Sequence, residues 1–261
     1  MGRALRAALA AMALACALPA GASIDAGAAL AKSRAAIGSA PLEHAFTDSD
    51  GKRVTLTAYR GKPLIVSFVY TGCSQVCPVT TRRLAKAVGE ARKVVGPAAF
   101  NVVSIGFNVP YDNPVSMRVF GRQQGLDDAR WGLLTPDLGD VEALARDFGF
   151  AYAAQSGGFD HLAQVTILDA RGRVHAQVYG EAFELPMLVQ PLRELALGEP
   201  APVASLVGYL ERARLLCTVY DPRSGKYRLD YGLFIELGVG ILCLGGTLGW
   251  LVRERLRARR P

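Results

Sequence analysis

The sequence predicts an α/β fold in which a mixed β-sheet is flanked by helices, with one hydrophobic helix near the C-terminus. Two predominantly apolar runs without alternation, at 64–70 and 100–107, are typical of strands buried on both faces of a sheet. Helical patterns follow both runs, and strands that alternate with helices favour a parallel arrangement. A further hydrophobic run, at 233–252, contains Glu236 as its only charged residue. The chain is therefore predicted to combine one globular domain with a terminal hydrophobic helix.

The elements of the domain follow one another between residues 41 and 200. Turn signals at 49–51 and 60–61 enclose an alternating segment at 53–57, which predicts a hairpin starting near Phe46. The strand at 64–70 leads into an amphipathic helix that ends at Gly96 and Pro97. The strand at 100–107 is followed by predicted helices at 114–124 and 140–148. We expect a loop around 131–136 between these two helices. A hairpin at 165–179 and a helix at 184–197 complete the order of a thioredoxin-like domain, with an antiparallel edge on its central sheet.

Residues 1–22 have the three parts of a secretory signal peptide. Arg3 and Arg6 precede a short apolar stretch, and small residues at 20–22 offer a cleavage site before Ser23. Lipidation at Cys16 and an uncleaved N-terminal anchor are the alternatives. Residues 23–40 are rich in alanine and glycine without a clear periodicity, so we expect a linker there.

The C-terminal part of the chain has the pattern of a membrane anchor. Residues 201–230 are predicted to hold an amphipathic helix at 203–217 and a juxtamembrane segment. Residues 231–252 are predicted to form a transmembrane helix, because a run of this length at about 1.5 Å per residue spans roughly 30 Å. Five arginines in the tail at 253–261 place the C-terminus in the cytoplasm. We therefore predict a single-pass protein of the bacterial inner membrane with its domain in the periplasm.

The net charge of +7 is concentrated at the two ends of the chain. Arg3 and Arg6 supply two of the positive charges and the tail supplies a net four, so the rest is close to neutral. Basic residues beside hydrophobic runs indicate membrane topology rather than a nucleic-acid surface. Nucleic-acid binding is therefore excluded.

Cys73 and Cys77 form the most informative motif among the five cysteines. They follow a predicted buried strand, open a predicted helix and precede Pro78, which fits a first helical turn. Their spacing puts both sulfurs on one helical face, where the helix N-terminus stabilises thiolates and lowers their pKa. Such a pair either cycles with a disulfide or binds a soft metal ion. A structural disulfide is disfavoured, because one that closes so short a loop gains little stability.

His161 is the histidine that we expect to complete a metal site. It ends the segment 157–161, which is predicted to be a flexible loop facing the helix N-terminus with the cysteines. A lone histidine is more often a satisfied polar residue, and that alternative stays open here. His44 has no evident partner in sequence, and His175 is expected at the surface or edge of a strand. Two thiolates and one imidazole suit Cu(I) and also accept Cu(II), whereas zinc prefers a fourth ligand.

Several stretches of the sequence together resemble one family. They are FTDSDGK, YRGKP, SFVYTGCSQVCP and DHLAQVTILDARGRV with the Tyr-Gly pair that follows. From about residue 29 to 197 the chain is similar to the SCO/SenC proteins, copper-binding thioredoxin-like factors of cytochrome c oxidase assembly. The resemblance implies that Cys73, Cys77 and His161 bind copper, with Asp160 just outside the ligand set. The chain departs from the family at Gly106 and the following phenylalanine, where an Asp-Pro pair is usual.

We expect a membrane-tethered metallochaperone rather than an enzyme. It would receive copper from a donor chaperone and deliver it to the dicopper site of cytochrome c oxidase subunit II. Copper binding requires reduced cysteines, so the Cys73–Cys77 pair would also be a redox disulfide that needs a thiol-disulfide reductant. One alternative is a thiol-disulfide oxidoreductase acting on the oxidase cysteines, which Val165 disfavours because such enzymes place a proline there. Another is a copper or redox sensor that signals through the membrane helix.

The other three cysteines are not expected to bind metal or to react. Cys16 is expected to leave with the signal peptide, and Cys243 is expected to be a small apolar filler within the membrane. Cys217 lies near the predicted membrane face and is expected to be a half-buried thiol. A transient third sulfur during copper transfer is the alternative for Cys217.

Overall fold

The computed structural model describes residues 23–41, 43–73, 76–180, 184–198, 218–221, 226–229 and 232–258. The chain divides into two compact units. One comprises Met1–Thr81 and Val102–Glu181, and the other comprises Arg82–Asn101 and Ala182–Pro261. All candidate copper ligands belong to the first unit.

The sheet of the first unit is mixed, as predicted. The strands within the described residues are β1 (Ala45–Asp48), β2 (Arg53–Thr55), β3 (Leu64–Val69), β4 (Asn101–Gly106), β5 (Trp131–Pro136), β6 (Tyr152–Gln155), β7 (Gly158–His161), β8 (Gln164–Leu168), β9 (Val174–Tyr179), β10 (Thr218–Asp221) and β11 (Lys226–Leu229). Seven of them form one sheet in the order β2-β1-β5-β4-β3-β8-β9, while β6-β7 and β10-β11 are separate two-stranded sheets. β4 and β5 run parallel, whereas β1 pairs antiparallel with β2 and β5, and β8 with β3 and β9.

Strands β3 and β8 are buried along their whole length. They pair with Ile65 opposite Ile167, and both of these side chains are fully buried. Continuous burial explains why the run at 64–70 is apolar at every position except Ser67 instead of alternating, and it confirms the predicted buried strand. Aromatic side chains fill the core beside these strands, and Phe46, Phe148 and Phe150 are each at most 1% exposed.

Apart from α1, the helices within the described residues lie close to their predicted positions. They are α1 (Ala26–Ala35), α2 (Val76–Val95), α3 (Pro114–Gln124), α4 (Val141–Asp147), α5 (Leu185–Gly198) and α6 (Gly232–Ala258). The α3 bounds match the prediction because the local signals are strong. Asn113 accepts hydrogen bonds from two free N–H groups at the N-terminus, and Gly125 ends the helix with a left-handed φ of 69°.

The predicted linker at 23–40 is wrong, because this segment contains helix α1. Asp25 caps the helix by accepting a hydrogen bond from Ala28, and Ser33 on its inner face is fully buried. The helix packs closely against Gly149, where an added Cβ would lie 2.7 Å from the Cα of Ser33. Small residues allow this approach, but a helix made largely of alanine leaves no amphipathic pattern in the sequence.

The predicted loop around 131–136 is also wrong, because these residues form strand β5. Glycine and proline in this stretch resemble turn signals, yet each has a local reason here. An added Cβ on Gly132 would lie 2.5 Å from the Tyr59 hydroxyl oxygen, so the glycine admits a close contact. Pro136 is the last residue of the strand, where proline is tolerated.

The structure tests some of the predictions for the C-terminal part of the chain. Helix α6 confirms a helix over the segment 231–252, and β10 and β11 form a hairpin within the segment 201–230. The predicted signal peptide at 1–22 and the amphipathic helix at 203–217 lie outside the described residues. In the part of the chain that the structure describes, no helix meets the length and apolarity required to cross a membrane.

Candidate metal centre

The two cysteines lie together where strand β3 passes into helix α2. The N–H of Cys73 donates to the carbonyl oxygen of Tyr70 at 3.2 Å, which closes a turn after the strand. The N–H of Cys77 donates to the Cys73 sulfur at 3.3 Å, and both cysteines are free thiols. The prediction placed both residues on one helical face, but Cys73 precedes the helix and Cys77 is its second residue. The Cys73 sulfur therefore lies before the helix, where it accepts a hydrogen bond from the backbone of the first turn of α2.

Burial dominates the chemistry of Cys77. The side chain is 2% exposed and belongs to the apolar core of the first unit. Burial raises the pKa of the Cys77 thiol to about 12. The prediction that the helix N-terminus lowers this pKa is therefore wrong, because desolvation of a buried thiolate outweighs the helix dipole. Cys73, which is only half-buried, is the more accessible of the two sulfurs.

Tyr70 links the cysteine turn to the strand that ends in His161. Its hydroxyl donates a hydrogen bond to the Cys73 sulfur and accepts one from the backbone of Phe159, and burial with the first of these bonds raises the pKa of Tyr70 to about 12. An added Cβ on Gly158 would lie 2.5 Å from this hydroxyl oxygen. A glycine at 158 therefore allows β7 to pass directly over the tyrosine.

His161 packs against a cluster of aromatic rings. Its ring centroid is 5.9 Å from those of Phe107 and Phe150, and 6.3 Å from that of Tyr70. Nδ1 lies 3.4 Å from the carbonyl oxygen of Leu162, an arrangement that favours a proton on Nδ1. The predicted flexible loop at 157–161 is wrong, because β7 pairs with β6 and His161 lies opposite Tyr152.

Phe107 is one of the two residues at which this chain differs from the Asp-Pro pair that is usual in the family it resembles. Its side chain is 4% exposed and its ring centroid lies 5.2 Å from those of Phe150, Tyr152 and Phe159. The phenylalanine thus supplies part of the apolar wall against which the imidazole packs. The departure changes the surroundings of His161 without altering any predicted ligand.

The structure brings the predicted ligands together only in part. Cys73 and Cys77 are in contact, and Tyr70 contacts both Cys73 and the ring of His161. Within the described ranges, however, no three His, Cys, Asp or Glu side chains are grouped closely enough to hold a metal ion. The donor set of two thiols and an imidazole fits a copper ion by its chemistry. Its third member, His161, is not grouped with the two sulfurs in this structure.

The remaining predicted residues have separate roles. Asp160 accepts a hydrogen bond from the N–H of Ile24 at 3.0 Å, so its carboxylate holds the N-terminal segment. His44 is 5% exposed and lies 2.8 Å from Asp147, which makes it a satisfied core histidine. His175 lies on the edge strand β9, as expected. Cys243 is exposed on helix α6, whereas Cys16 and Cys217 lie outside the described residues.

Sequence reasoning missed a buried carboxylate next to the cysteine turn. Asp112 is fully buried and accepts hydrogen bonds from the N–H and hydroxyl of Thr71 and from the N–H of Asn108. Its position directly before the N-cap residue Asn113 marks it in the sequence only as part of a helix start. The contact with Thr71 joins residues 41 positions apart and leaves no local signal.

Comparison with known proteins agrees with this fold. A family profile described as SCO1/SenC matches residues 34–196. The SCO1 protein homolog of Bacillus subtilis (strain 168) is 27% identical over 92 residues, which are 34% of this chain and 46% of that protein. The chain thus spans about half the length of this relative.

Solved structures with the same fold include one from Aquifex aeolicus VF5 described as a putative electron transfer protein. It is 26% identical, with a TM-score of 0.57, and the match covers 64% of this chain and 97% of that one. Bradyrhizobium japonicum ScoI, solved with copper bound, is 20% identical with a TM-score of 0.50, and the match covers 60% of this chain and 99% of that one. The likeness to these structures confirms the predicted thioredoxin-like mixed α/β fold. Because the family profile also covers more than half of the sequence, the chain belongs to the SCO1/SenC family.

Proposed function

We propose that this protein is a copper metallochaperone that binds one copper ion through Cys73, Cys77 and His161. The observation that carries the proposal is the pair of free thiols at the start of α2, where the N–H of Cys77 lies 3.3 Å from the Cys73 sulfur. Thiolates are soft ligands that prefer Cu(I), and an imidazole is a common third ligand for copper. ScoI of Bradyrhizobium japonicum, a protein with the same fold, has been solved with copper bound.

His161 would complete the site by moving towards the sulfurs. Tyr70 contacts both Cys73 and the His161 ring, so one side chain links two of the three proposed ligands. His161 lies at the end of β7, in a two-stranded sheet that is separate from the central sheet. A hairpin of this kind moves as a unit more readily than an inner strand of a large sheet. Loading of copper would therefore draw this hairpin and the cysteine turn together.

The proposed task is delivery of copper to the dicopper site of cytochrome c oxidase subunit II during assembly. The ion would arrive from a donor chaperone and leave by ligand exchange, since the half-buried Cys73 gives an incoming ligand access. Reduced thiols are needed, so a thiol-disulfide reductant would maintain the pair, and disulfide formation would compete with metal binding. The proposed activity is transfer of cargo without catalysis.

A thiol-disulfide oxidoreductase is the second candidate, because the same free pair is suited to form and break a disulfide. Val165 weighs against it. This residue is 7% exposed and pairs with Ser67 and Val178 inside the sheet, so its backbone is occupied by strand partners. Oxidoreductases of this fold have a proline at this position, and that proline positions the substrate disulfide. Val165 does not provide this feature.

The proposed location is the bacterial inner membrane, with the domain in the periplasm and the C-terminus in the cytoplasm. This part of the proposal rests on the sequence, in which the charges flank the run at 233–252. Membrane attachment would keep the copper site near a membrane-bound oxidase.

Copper titration of the reduced full-length protein tests the proposal. One Cu(I) per chain is expected for the intact protein, with a large loss of affinity for His161→Ala and a still larger loss for Cys77→Ser. His175→Ala is the matched control, because it removes an imidazole from β9 and should leave copper binding unchanged. Full stoichiometry and affinity in both site variants would show that the assignment is wrong. Absence of copper binding together with reduction of a partner disulfide would favour the oxidoreductase.

A further inference from the structure

Asp112 connects the two loops that follow strands β3 and β4. Its Oδ1 accepts hydrogen bonds from the N–H of Thr71 at 2.8 Å and from the Thr71 hydroxyl at 2.7 Å. Its Oδ2 accepts a third from the N–H of Asn108 at 2.8 Å. The Asp112 side chain is fully buried, so water does not compete for these three hydrogen bonds, and losing one would leave a partly buried donor without a partner. Asp112 therefore fixes the position of Thr71 with respect to the loop after β4.

Thr71 lies two residues before Cys73, within the turn closed by the bond from Cys73 N–H to the Tyr70 carbonyl. Two of the three hydrogen bonds to the carboxylate come from this threonine. The main-chain path into Cys73 is thus set by a side chain from a different part of the sequence. The bond from Cys77 N–H to the Cys73 sulfur depends on that path.

Gly106 leaves the space that Asp112 occupies. An added Cβ at position 106 would lie 2.6 Å from the Cβ of Asp112 and 2.9 Å from the sulfur of Met117. A side chain at 106 and the present position of Asp112 therefore exclude each other. The glycine at 106 and the buried side chain at 112 therefore form one arrangement in this chain.

We propose that Asp112 is a positioning residue for the Cys73–Cys77 pair. By holding Thr71, it keeps the two sulfurs within reach of each other, both for disulfide formation and for binding one metal ion. The metal part rests on the proposed function, whereas the disulfide part does not. Disulfide formation can be followed with glutathione disulfide as the oxidant. The two cysteine thiols lose two electrons and two protons and form one S–S bond. Glutathione disulfide accepts both electrons and both protons, its own S–S bond breaks, and two molecules of reduced glutathione are released.

The test uses the reduced full-length chain with Asp112→Asn, Gly106→Ala and a control, Asp169→Asn. The amide keeps one acceptor oxygen but turns an NH₂ group towards at least one N–H or O–H donor, so at least one bond is lost. The added methyl at 106 displaces Asp112 without changing its chemistry. Asp169 accepts hydrogen bonds from two backbone N–H groups at 2.8 Å in the turn before β9, and it provides the same kind of contact elsewhere.

The first measurement is the equilibrium constant for the Cys73–Cys77 disulfide in glutathione buffers, read by differential alkylation and mass spectrometry of the peptide that contains both cysteines. The second is Cu(I) affinity by chelator competition. We expect Asp112→Asn and Gly106→Ala each to lower the disulfide constant about tenfold, equivalent to roughly 30 mV, and to weaken copper binding by a similar factor. Asp169→Asn should leave both values unchanged.

An Asp112→Asn variant with the native circular dichroism and melting temperature, but unchanged disulfide constant and copper affinity, would overturn the proposal. If that variant does not fold, Gly106→Ala and Thr71→Val decide. Thr71→Val removes only the hydroxyl bond to the carboxylate, and unchanged disulfide constants in both variants would overturn the proposal too. Failure of the intact protein to bind copper would count against the proposed function alone, because the disulfide constants remain measurable.

Discussion

Copper binding by this protein should depend steeply on pH, because the buried Cys77 thiol holds its proton in the metal-free state. Its pKa is raised to about 12 by burial, so it stays protonated throughout the range from about pH 6 to pH 9. A metal-bound cysteine is a thiolate, and loading therefore releases this proton. The sign follows directly: protons favour the metal-free state, so the affinity rises with pH.

The magnitude follows from linkage. One released proton changes the apparent affinity tenfold per pH unit, which is about 1.4 kcal/mol per unit. Between pH 6 and pH 9 the contribution of Cys77 alone is therefore a factor of about 10³, or roughly 4 kcal/mol. Any proton released from Cys73 adds to this slope.

The assay is Cu(I) competition with a chelator of known proton affinity, measured at several pH values, with proton release followed independently in weakly buffered solution. Cys77→Ala is the matched comparison, since it removes the thiol from the buried position. Its affinity should be lower, and its slope should be smaller by one proton. A pH-independent affinity in the intact protein, or an equal slope in the variant, would refute the reasoning that burial keeps Cys77 protonated.

Two further predictions concern the stability of the first unit, and both are measured by urea unfolding of the metal-free protein. Phe148→Ala should lower the free energy of unfolding by about 3–5 kcal/mol, because the ring is fully buried against Phe68, whereas Tyr111→Ala at a side chain that is 71% exposed should change it by less than about 0.5 kcal/mol. Gly149→Ala should cost about 1–3 kcal/mol, because this residue has a φ of 62° and an added Cβ would collide with helix α1. Gly139→Ala is its control, since no atom lies within 4 Å of the added carbon, and equal losses in the two glycine variants would contradict the close packing of α1.

The sequence predicts those elements of the fold whose residues carry their own signal. Strand β3 is recognisable because every one of its residues is buried, which leaves a run that is apolar at every position except Ser67. Helix α3 has a capping asparagine at one end and a glycine at the other, and its predicted bounds match the structure. In these cases local chemistry and tertiary position require the same residues.

Elements are missed where tertiary contacts determine the residue type. Gly132 serves the approach of Tyr59, yet in the sequence it resembles a turn signal within β5. Helix α1 uses alanine and serine to approach Gly149, which leaves no apolar stripe to detect. The paired glycines before Phe159 indicate a flexible loop, whereas one of them makes room for the Tyr70 hydroxyl in a hairpin. Each error comes from a glycine or a small residue that a distant side chain requires.

The same distinction applies to the candidate metal centre. The spacing of Cys73 and Cys77 predicts a functional pair, and the structure places them in contact. The contacts of Tyr70 with Phe159 and of Asp112 with Thr71 join residues far apart in the sequence, so no spacing rule finds them. The pKa of Cys77 is also beyond the motif, because it depends on the apolar side chains that surround the thiol.

Burial of Cys77 connects these features to the proposed transfer of copper. A protonated thiol is neutral and is therefore compatible with an apolar core, whereas an isolated thiolate there is costly. Two processes remove the proton without leaving an uncompensated charge: binding of a cation and formation of a disulfide. The reduced protein is thus expected to stay unreactive until it meets copper or an oxidant, and the half-buried Cys73 is the sulfur that meets them first. Exchange would begin at Cys73 and be completed at Cys77, so the difference in burial between the two cysteines would set the order of copper loading and release.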